Sequence, residues 1–404
     1  MIRSWAYDVE IFPNLFSITF VNLQHYLKVF ADCGTNALTD KYKVSEIKDK
    51  LETVESRIFY ISDTDDSQLL KLVSFINDME ARFDDNGNPI RYDLFGYNNQ
   101  AYDDMMIKAF LMNFNRYDSS ASLIKYLYEL SKKLISMQDD KSALWADKEL
   151  DYIRKYRLPY ATVDLFKVYA LNSAGVNIDK DGNRNKFGKS LKMVSINLKW
   201  HELLDFTLPP INEEEAEFYR KNPNYRGFSV KQLNVLFTND FDRYVLPKYV
   251  EPMLHYNKND VYIVCEIARQ KPEEIKLRYS LGHAFSLNLL CSARSNIADK
   301  LLYKFYSEMS GLKVEAFKKL RTERTRLSFN KIIFPHICFK TKQLQDILAD
   351  MKQIYIYHTN KDAFCKEFTF YGTTYTLATG GLHSQDRPGE LKSVEGKYTY
   401  IHYD

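Results

Sequence analysis

Three short segments of the chain carry side chains that could do chemistry together. The first is Asp8-Val9-Glu10. It lies in a run of aromatic and β-branched residues that reads as a strand over 4–9, followed by a turn at Pro13-Asn14 and a second strand over 15–22. Side chains alternate across a strand, so Asp8 and Glu10 share one face and both can reach one cation. The second segment is Tyr97-Asn98-Asn99-Gln100-Ala101-Tyr102-Asp103, where a strand over 92–97 runs into a helix beginning near Asp103. A carboxylate there suits the positive end of the helix dipole, and it equally suits an ordinary helix cap. The third is Tyr256-Asn257-Lys258-Asn259-Asp260, inside a helix over 249–270. A spacing of four sets the phenol and the carboxylate one turn apart on one face.

Taken singly, each segment has a plain explanation: a solvated strand face, a cap, an amphipathic helix. Taken together, Asp8, Glu10, Asp103 and Asp260 arrive in order from a first strand, a mid-chain helix start and a late helix. Such a set of hard oxygen ligands suits two divalent cations at a phosphodiester. One ion would help to generate hydroxide and the other would stabilise the leaving 3′ oxygen. A tyrosine with its ordinary pKa of about 10 is a poor base, so Tyr256 is expected to orient the attacking water.

The order DxE, then N-x(2–3)-(F/Y)-D, then Y-x(3)-D resembles the exonuclease motifs of the DEDDy 3′→5′ exonucleases, the proofreading domains of family B DNA polymerases. The resemblance implies an RNase H-like fold, two bound Mg²⁺ or Mn²⁺ ions, and removal of nucleoside monophosphates from a single-stranded DNA 3′ end. It implies that Asn98 or Asn99 contacts the substrate strand. Phe12 would wedge against the terminal base or serve the core. Lys192, in Leu191-Lys192-Met193, would touch substrate or simply be solvated.

A second likeness lies at the other end of the chain. Residues 368–384, FTFYGTTYTLATGGLHS, form a hairpin pattern that resembles the segment before the polymerase palm. Gly380-Gly381 stands in place of its template-contacting YxGG, with Ala378 where the tyrosine is usual. The glycine pair also suits a bare turn. Residues 398–404, ending at Asp404, resemble the strand that opens polymerase motif A. Ser62-Asp63-Thr64-Asp65-Asp66 mimics motif C but comes far too early, and reads as a loop capping the next helix. The chain is therefore expected to be the front part of a viral or phage-type polymerase, cut or split at motif A, without polymerase activity of its own. The missing palm, fingers and thumb would be its partner, and a primer-template its substrate. A second expectation is a DNA-binding module with little exonuclease activity. It would grip single strands through aromatics and the basic run 318–326.

The elements that must position these residues set the fold class. Strands mixed with helices over the first 270 residues imply an α/β domain with a mixed sheet flanked by helices. We expect an exonuclease domain over 1–275, with a charged helical excursion at about 116–156, and a connector leading to the palm over 276–404. Further strands are expected at 57–62 and from 160, further helices at 67–83 and 287–308, and loops at 84–89 and 179–189. With 404 residues, 45% of them apolar, the chain can bury a large core. A net charge of only +3 says nothing for or against nucleic acid. Five widely spaced cysteines without a CxxC suggest neither a disulfide framework nor a zinc site. No leader and no membrane-length apolar run is visible, so a reducing cytoplasm, that of a host cell, is the expected compartment.

Overall fold

The structure is a computed structural model. It describes residues 2–84, 86–137, 141–168, 176–178, 184–186, 190–208, 221, 244–317, 326–357, 365–370, 372–378 and 381–384. Strand β1 (Ile2–Phe12) turns at Pro13-Asn14 into β2 (Leu15–Asn22), helices α1 (Leu23–Val29) and α2 (Val44–Thr53) follow, and β3 (Ser56–Ser62) returns beside β2. Next come α3 (Leu69–Asn77), β4 (Arg82–Phe83) and β5 (Pro89–Gly96). After them lie α4 (Asp103–Asn113), α5 (Ser120–Ser136), α6 (Lys141–Ala146), α7 (Lys148–Lys155), β6 (Ala161–Asp164) and α8 (Leu165–Val168). The strands form one mixed sheet in the order β3-β2-β1-β5, with β6 and β4 both pairing β5. The β3-β2-β1 part is antiparallel, whereas β1-β5 and β5-β6 are parallel.

Alternation along β1 divides the protein into two cores. Trp5, Tyr7 and Val9 point to one face, where they meet Phe16, Ile18 and Phe20 of β2 and the apolar sides of α3, α4, α5 and α7. Ala6 and Val21 point to the other, which is covered by α1, α2, α8, α9 (Leu191–Asn197) and the long α10 (Pro247–Gln270). This sheet flanked by helices on both faces is the expected α/β architecture. Helix α5 is no excursion: Leu123, Ile124, Leu127, Leu130 and Leu134 give it a buried stripe against the sheet. The expected helix 67–83 stops at Asn77, because turns closed onto Ile76 and Asn77 hand the chain to β4; Met79 is buried all the same. Within 179–189 the described residues 184–186 pair with 176–178 as a hairpin.

Helix α10 is locked by a buried polar cluster two turns beyond Asp260. Glu266 accepts hydrogen bonds from Tyr26 (2.9 Å), Gln270 (2.7 Å) and the Arg269 guanidinium (2.6 and 2.8 Å). Arg269 also donates to the carbonyls of Gly34 and Asn36, which ties the 31–36 loop to the helix. The charges are satisfied on every side, as burial demands.

The chain divides into compact units at Tyr303 and Lys304, later than the expected boundary near 275. Helix α11 (Pro272–Phe285) explains the shift. Its fully buried Arg278 donates to the carbonyls of Ser292 and Lys167, and its Tyr279 hydroxyl donates to buried Asp93 of β5, between β1 and β6. The helix expected over 287–308 is α12 (Arg294–Ser310), preceded by a turn. In the second unit, strands Cys365–Phe370 and Thr373–Ala378 pair around Gly372 as expected, and a third strand, Gly381–Ser384, extends them. The basic residues 318–325, Gly380 and the motif A-like strand 398–404 lie outside the described residues. All five cysteines are free. Among the described residues no helix is long and apolar enough to cross a membrane.

Arg269→Met should cost about 3 kcal/mol of stability by urea unfolding, because it leaves the Glu266 carboxylate buried without its counter-charge. The double variant with Glu266→Gln should recover part of that loss. Equal midpoints for Arg269→Met and the wild type would exclude a stabilising role for the cluster.

Candidate active site

Asp8 and Glu10 point to the α10 face of the sheet, since Tyr7 and Val9 between and beside them point the other way. Their partners across the β1-β2 ladder are Thr19 and Ser17, both small and both fully buried. Larger side chains there would fill the space between the strands and α10. Ser17 instead sits with its hydroxyl 3.7 Å from the Met253 sulfur.

Asp103 enters from the open edge of β1. The parallel ladder to β5 covers only Ile2–Ala6, and the chain leaves the sheet at Gly96. Helix α4 then brings the Asp103 carboxylate to the Val9 N–H, which it accepts at 3.3 Å. The turn between is tightly specified. A Cβ on Gly96 would lie 2.6 Å from Cβ of Asn99. Asn98 adopts φ 58°, a left-handed conformation that asparagine tolerates, and its N–H donates to buried Asp164 at 2.9 Å. Asn99 is fully buried and donates its amide to the Tyr7 hydroxyl at 2.8 Å; Tyr7 in turn donates to Asp104. The two candidate substrate-contacting asparagines are thus placed differently, Asn99 turned into the fold and Asn98 half-buried at the turn.

Helix α10 supplies the third side. The Tyr256 hydroxyl hydrogen-bonds Asp260, the i,i+4 contact expected from their spacing. The Asn257 amide donates to Asp8 Oδ2 at 2.7 Å. Lys192, at the start of α9, pairs with Asp205 at 2.6 Å and lines a cavity of about 160 Å³ together with Tyr256, Asn259 and Asp260. Phe206 lies between Phe12 and Tyr256, with ring centroids 6.1 Å from each. Gly381 belongs to the second unit.

The four acids act on one another electrostatically. Burial pushes the Asp8 carboxyl well above the usual carboxylate range, and the charges of Asp103, Glu10 and Asp260 push it further. Glu10 rises to about 8, by burial and by Asp260. Asp103 rises by burial and by its neighbour Asp104. Asp260 rises to about 6 by burial, held back by the hydrogen bond from Tyr256. Burial and the Asp260 charge raise Tyr256, so its phenol stays protonated. Four carboxylates that disfavour one another's charge can be relieved by protons or by cations. Hard oxygen donors of this kind fit Mg²⁺ or Mn²⁺. Among the described residues, however, no three acid, histidine or cysteine side chains are posed as a ready ion shell. The donor chemistry fits, and the side-chain rotamers as they stand do not converge.

Sequence reasoning brought Asp8, Glu10, Asp103, Tyr256 and Asp260 forward, and in the structure the charges of Glu10, Asp103 and Asp260 reach Asp8. It missed Asn257, whose inward helix position next to Tyr256 was a usable signal. It also missed Phe206, in a loop without periodicity, and the Tyr7-Asp104 pair, which only the tertiary fold brings together. Compared with known protein families, curated proteins and solved structures, the chain shows no match.

Two outcomes follow from this geometry. Glu10 and Asp260 hold protons more tightly folded than unfolded. Their stabilising contribution is complete below the unfolded values of about 4 and is lost as pH rises through about 6 and 8. Chelator-treated protein should melt lower above pH 8 than near pH 6, and Mg²⁺ or Mn²⁺ should reverse the difference. Glu10→Gln should flatten that profile, and an unchanged profile in this variant would discount the cluster. Gly96→Ala should destabilise by about 1–3 kcal/mol in the same melts, because Asn99 cannot give way.

Proposed function

We propose that this chain is the 3′→5′ exonuclease part of a family B DNA polymerase and trims single-stranded DNA 3′ ends by metal-assisted phosphodiester hydrolysis. The observation that carries the reading is that the charges of Glu10, Asp103 and Asp260 all bear on Asp8, from the three elements and in the order that the motifs require. The strand order, three antiparallel strands followed by two parallel ones, is compatible with an RNase H-like fold. The acids sit where β1 and β5 diverge at their carboxyl ends, the usual place for a ligand in an open α/β sheet.

Asp8, Glu10, Asp103 and Asp260 would hold two Mg²⁺ or Mn²⁺ ions. Bound there, such ions supply Lewis-acid stabilisation of the phosphoryl oxygens and of the leaving 3′ oxygen. Tyr256 gives its proton to the hydrogen bond with Asp260 and so offers a lone pair to the attacking water, which orients it without removing its proton. Phe12 and Phe206 present aromatic faces beside Tyr256 on which a terminal base can stack. Lys192 brings positive charge to the same cavity and must exchange its partner Asp205 for a phosphate. The palm, fingers and thumb of such a polymerase would complete the path of a primer-template.

One observation favours a second reading, a DNA-binding module with little activity of its own: the acids are not posed as a finished shell. A 5′-labelled single-stranded oligonucleotide with Mg²⁺ or Mn²⁺ separates the two. The exonuclease reading expects a ladder shortening from the 3′ end, lost in chelator and in Asp8→Ala/Glu10→Ala, and a kcat about 10²-fold lower in Tyr256→Phe. Binding without digestion supports the module, and digestion that survives Asp8→Ala/Glu10→Ala removes the site from consideration.

A further inference from the structure

We infer that Asn257 is a positioning residue that fixes the orientation of the Asp8 carboxylate and thereby sets the affinity of the acidic site for divalent cations; the inference rests on the exonuclease reading. Asn257 is fully buried in the face of α10 that packs on β1 and β2, a place where the neighbouring inward residues are Met253, Val261 and Val264. A buried amide in an apolar helix face is costly unless hydrogen-bonded. Its Nδ2 makes that bond, at 2.7 Å, to Asp8 Oδ2, while its Oδ1 is buried with no hydrogen-bond partner among the described residues.

The pairing has a direction. An amide N–H can only donate, so it pins Oδ2 of Asp8 and fixes how the carboxylate is presented to a cation. The other acids of the site offer no such restraint, since Asp103, Glu10 and Asp260 act on Asp8 by repulsion, which would turn the carboxylate away from them. A neutral donor from α10 opposes that without adding charge that would compete with an incoming cation. A lysine in its place would occupy the site, and a leucine would leave Asp8 to rotate. Hydrogen bonds of this kind to a metal ligand are typically worth 10- to 100-fold in ion affinity.

The test is Mn²⁺ binding to the full chain, followed by the electron paramagnetic resonance of free Mn²⁺, alongside digestion of the labelled oligonucleotide across Mn²⁺ concentrations. Asn257→Leu keeps the branched shape and suits the apolar packing. It should keep the melting temperature of the chelated protein, bind Mn²⁺ about 10-fold or more weakly, and regain wild-type kcat at high Mn²⁺. Asp8→Ala should not be rescued by any Mn²⁺ concentration. Asn257→Ser, too short to reach Asp8, should weaken Mn²⁺ in the same way and serves if the leucine variant does not fold. Wild-type Mn²⁺ affinity in both variants overturns the role of Asn257 and leaves the exonuclease reading standing. A wild-type chain that neither binds Mn²⁺ nor cuts DNA overturns both.

Discussion

The mutual repulsion of four carboxylates, Asp103 buried and Asp8, Glu10 and Asp260 half-buried, is the constraint around which the first unit is arranged. Asp8, Glu10, Asp103 and Asp260 each lose hydration and each raise the cost of charging at least one of the others. Such a group does not assemble by attraction. It is held together because each acid is carried by an element whose place is set elsewhere, by apolar packing on the two faces of the sheet. The stability of those cores is what keeps the acids within reach of one another.

The same constraint explains the polar groups around the site. Val9 N–H, Asn257 and Tyr256 are neutral donors aimed at Asp103, Asp8 and Asp260 in turn. They orient the carboxylates without neutralising them, so the negative charge stays available to a cation. Behind them, Tyr7, Asn99 and Asp104 form a second layer that ties β1 to the turn before α4. Where the fold does neutralise a buried acid, at Glu266 with Arg269, the pair lies away from the cluster and has a structural task.

Much of this was legible in the sequence because strand alternation and helix spacing are local. Asp8 and Glu10 share a face for the reason their spacing suggests, and Tyr256 and Asp260 bond across one helical turn. The hairpin around Gly372 was equally readable, since the turn and both strands are contiguous. What escaped depended on distant residues. No local pattern says that α5 packs on the sheet, that Arg278 draws α11 into the first unit, or that the side chain of Asn99 turns toward Tyr7. The end of α3 was missed for a different reason, since Met79 keeps the apolar spacing after the helix has stopped.

The Glu266-Arg269 cluster has a mechanical consequence for the whole of α10. A helix advances about 1.5 Å and turns about 100° for each residue. Slipping α10 by a single position would swing Asp260 out of the site and leave Asn259 or Val261 near its place. Apolar contacts alone discriminate poorly between such settings, because Val261, Ile263, Val264 and Ile267 could exchange roles. The buried ion pair, with its bonds to Tyr26 and to the carbonyls of Gly34 and Asn36, accepts only one setting. It works as an indexing pin, locking the rotational phase of the helix two turns away from the residues whose alignment needs it.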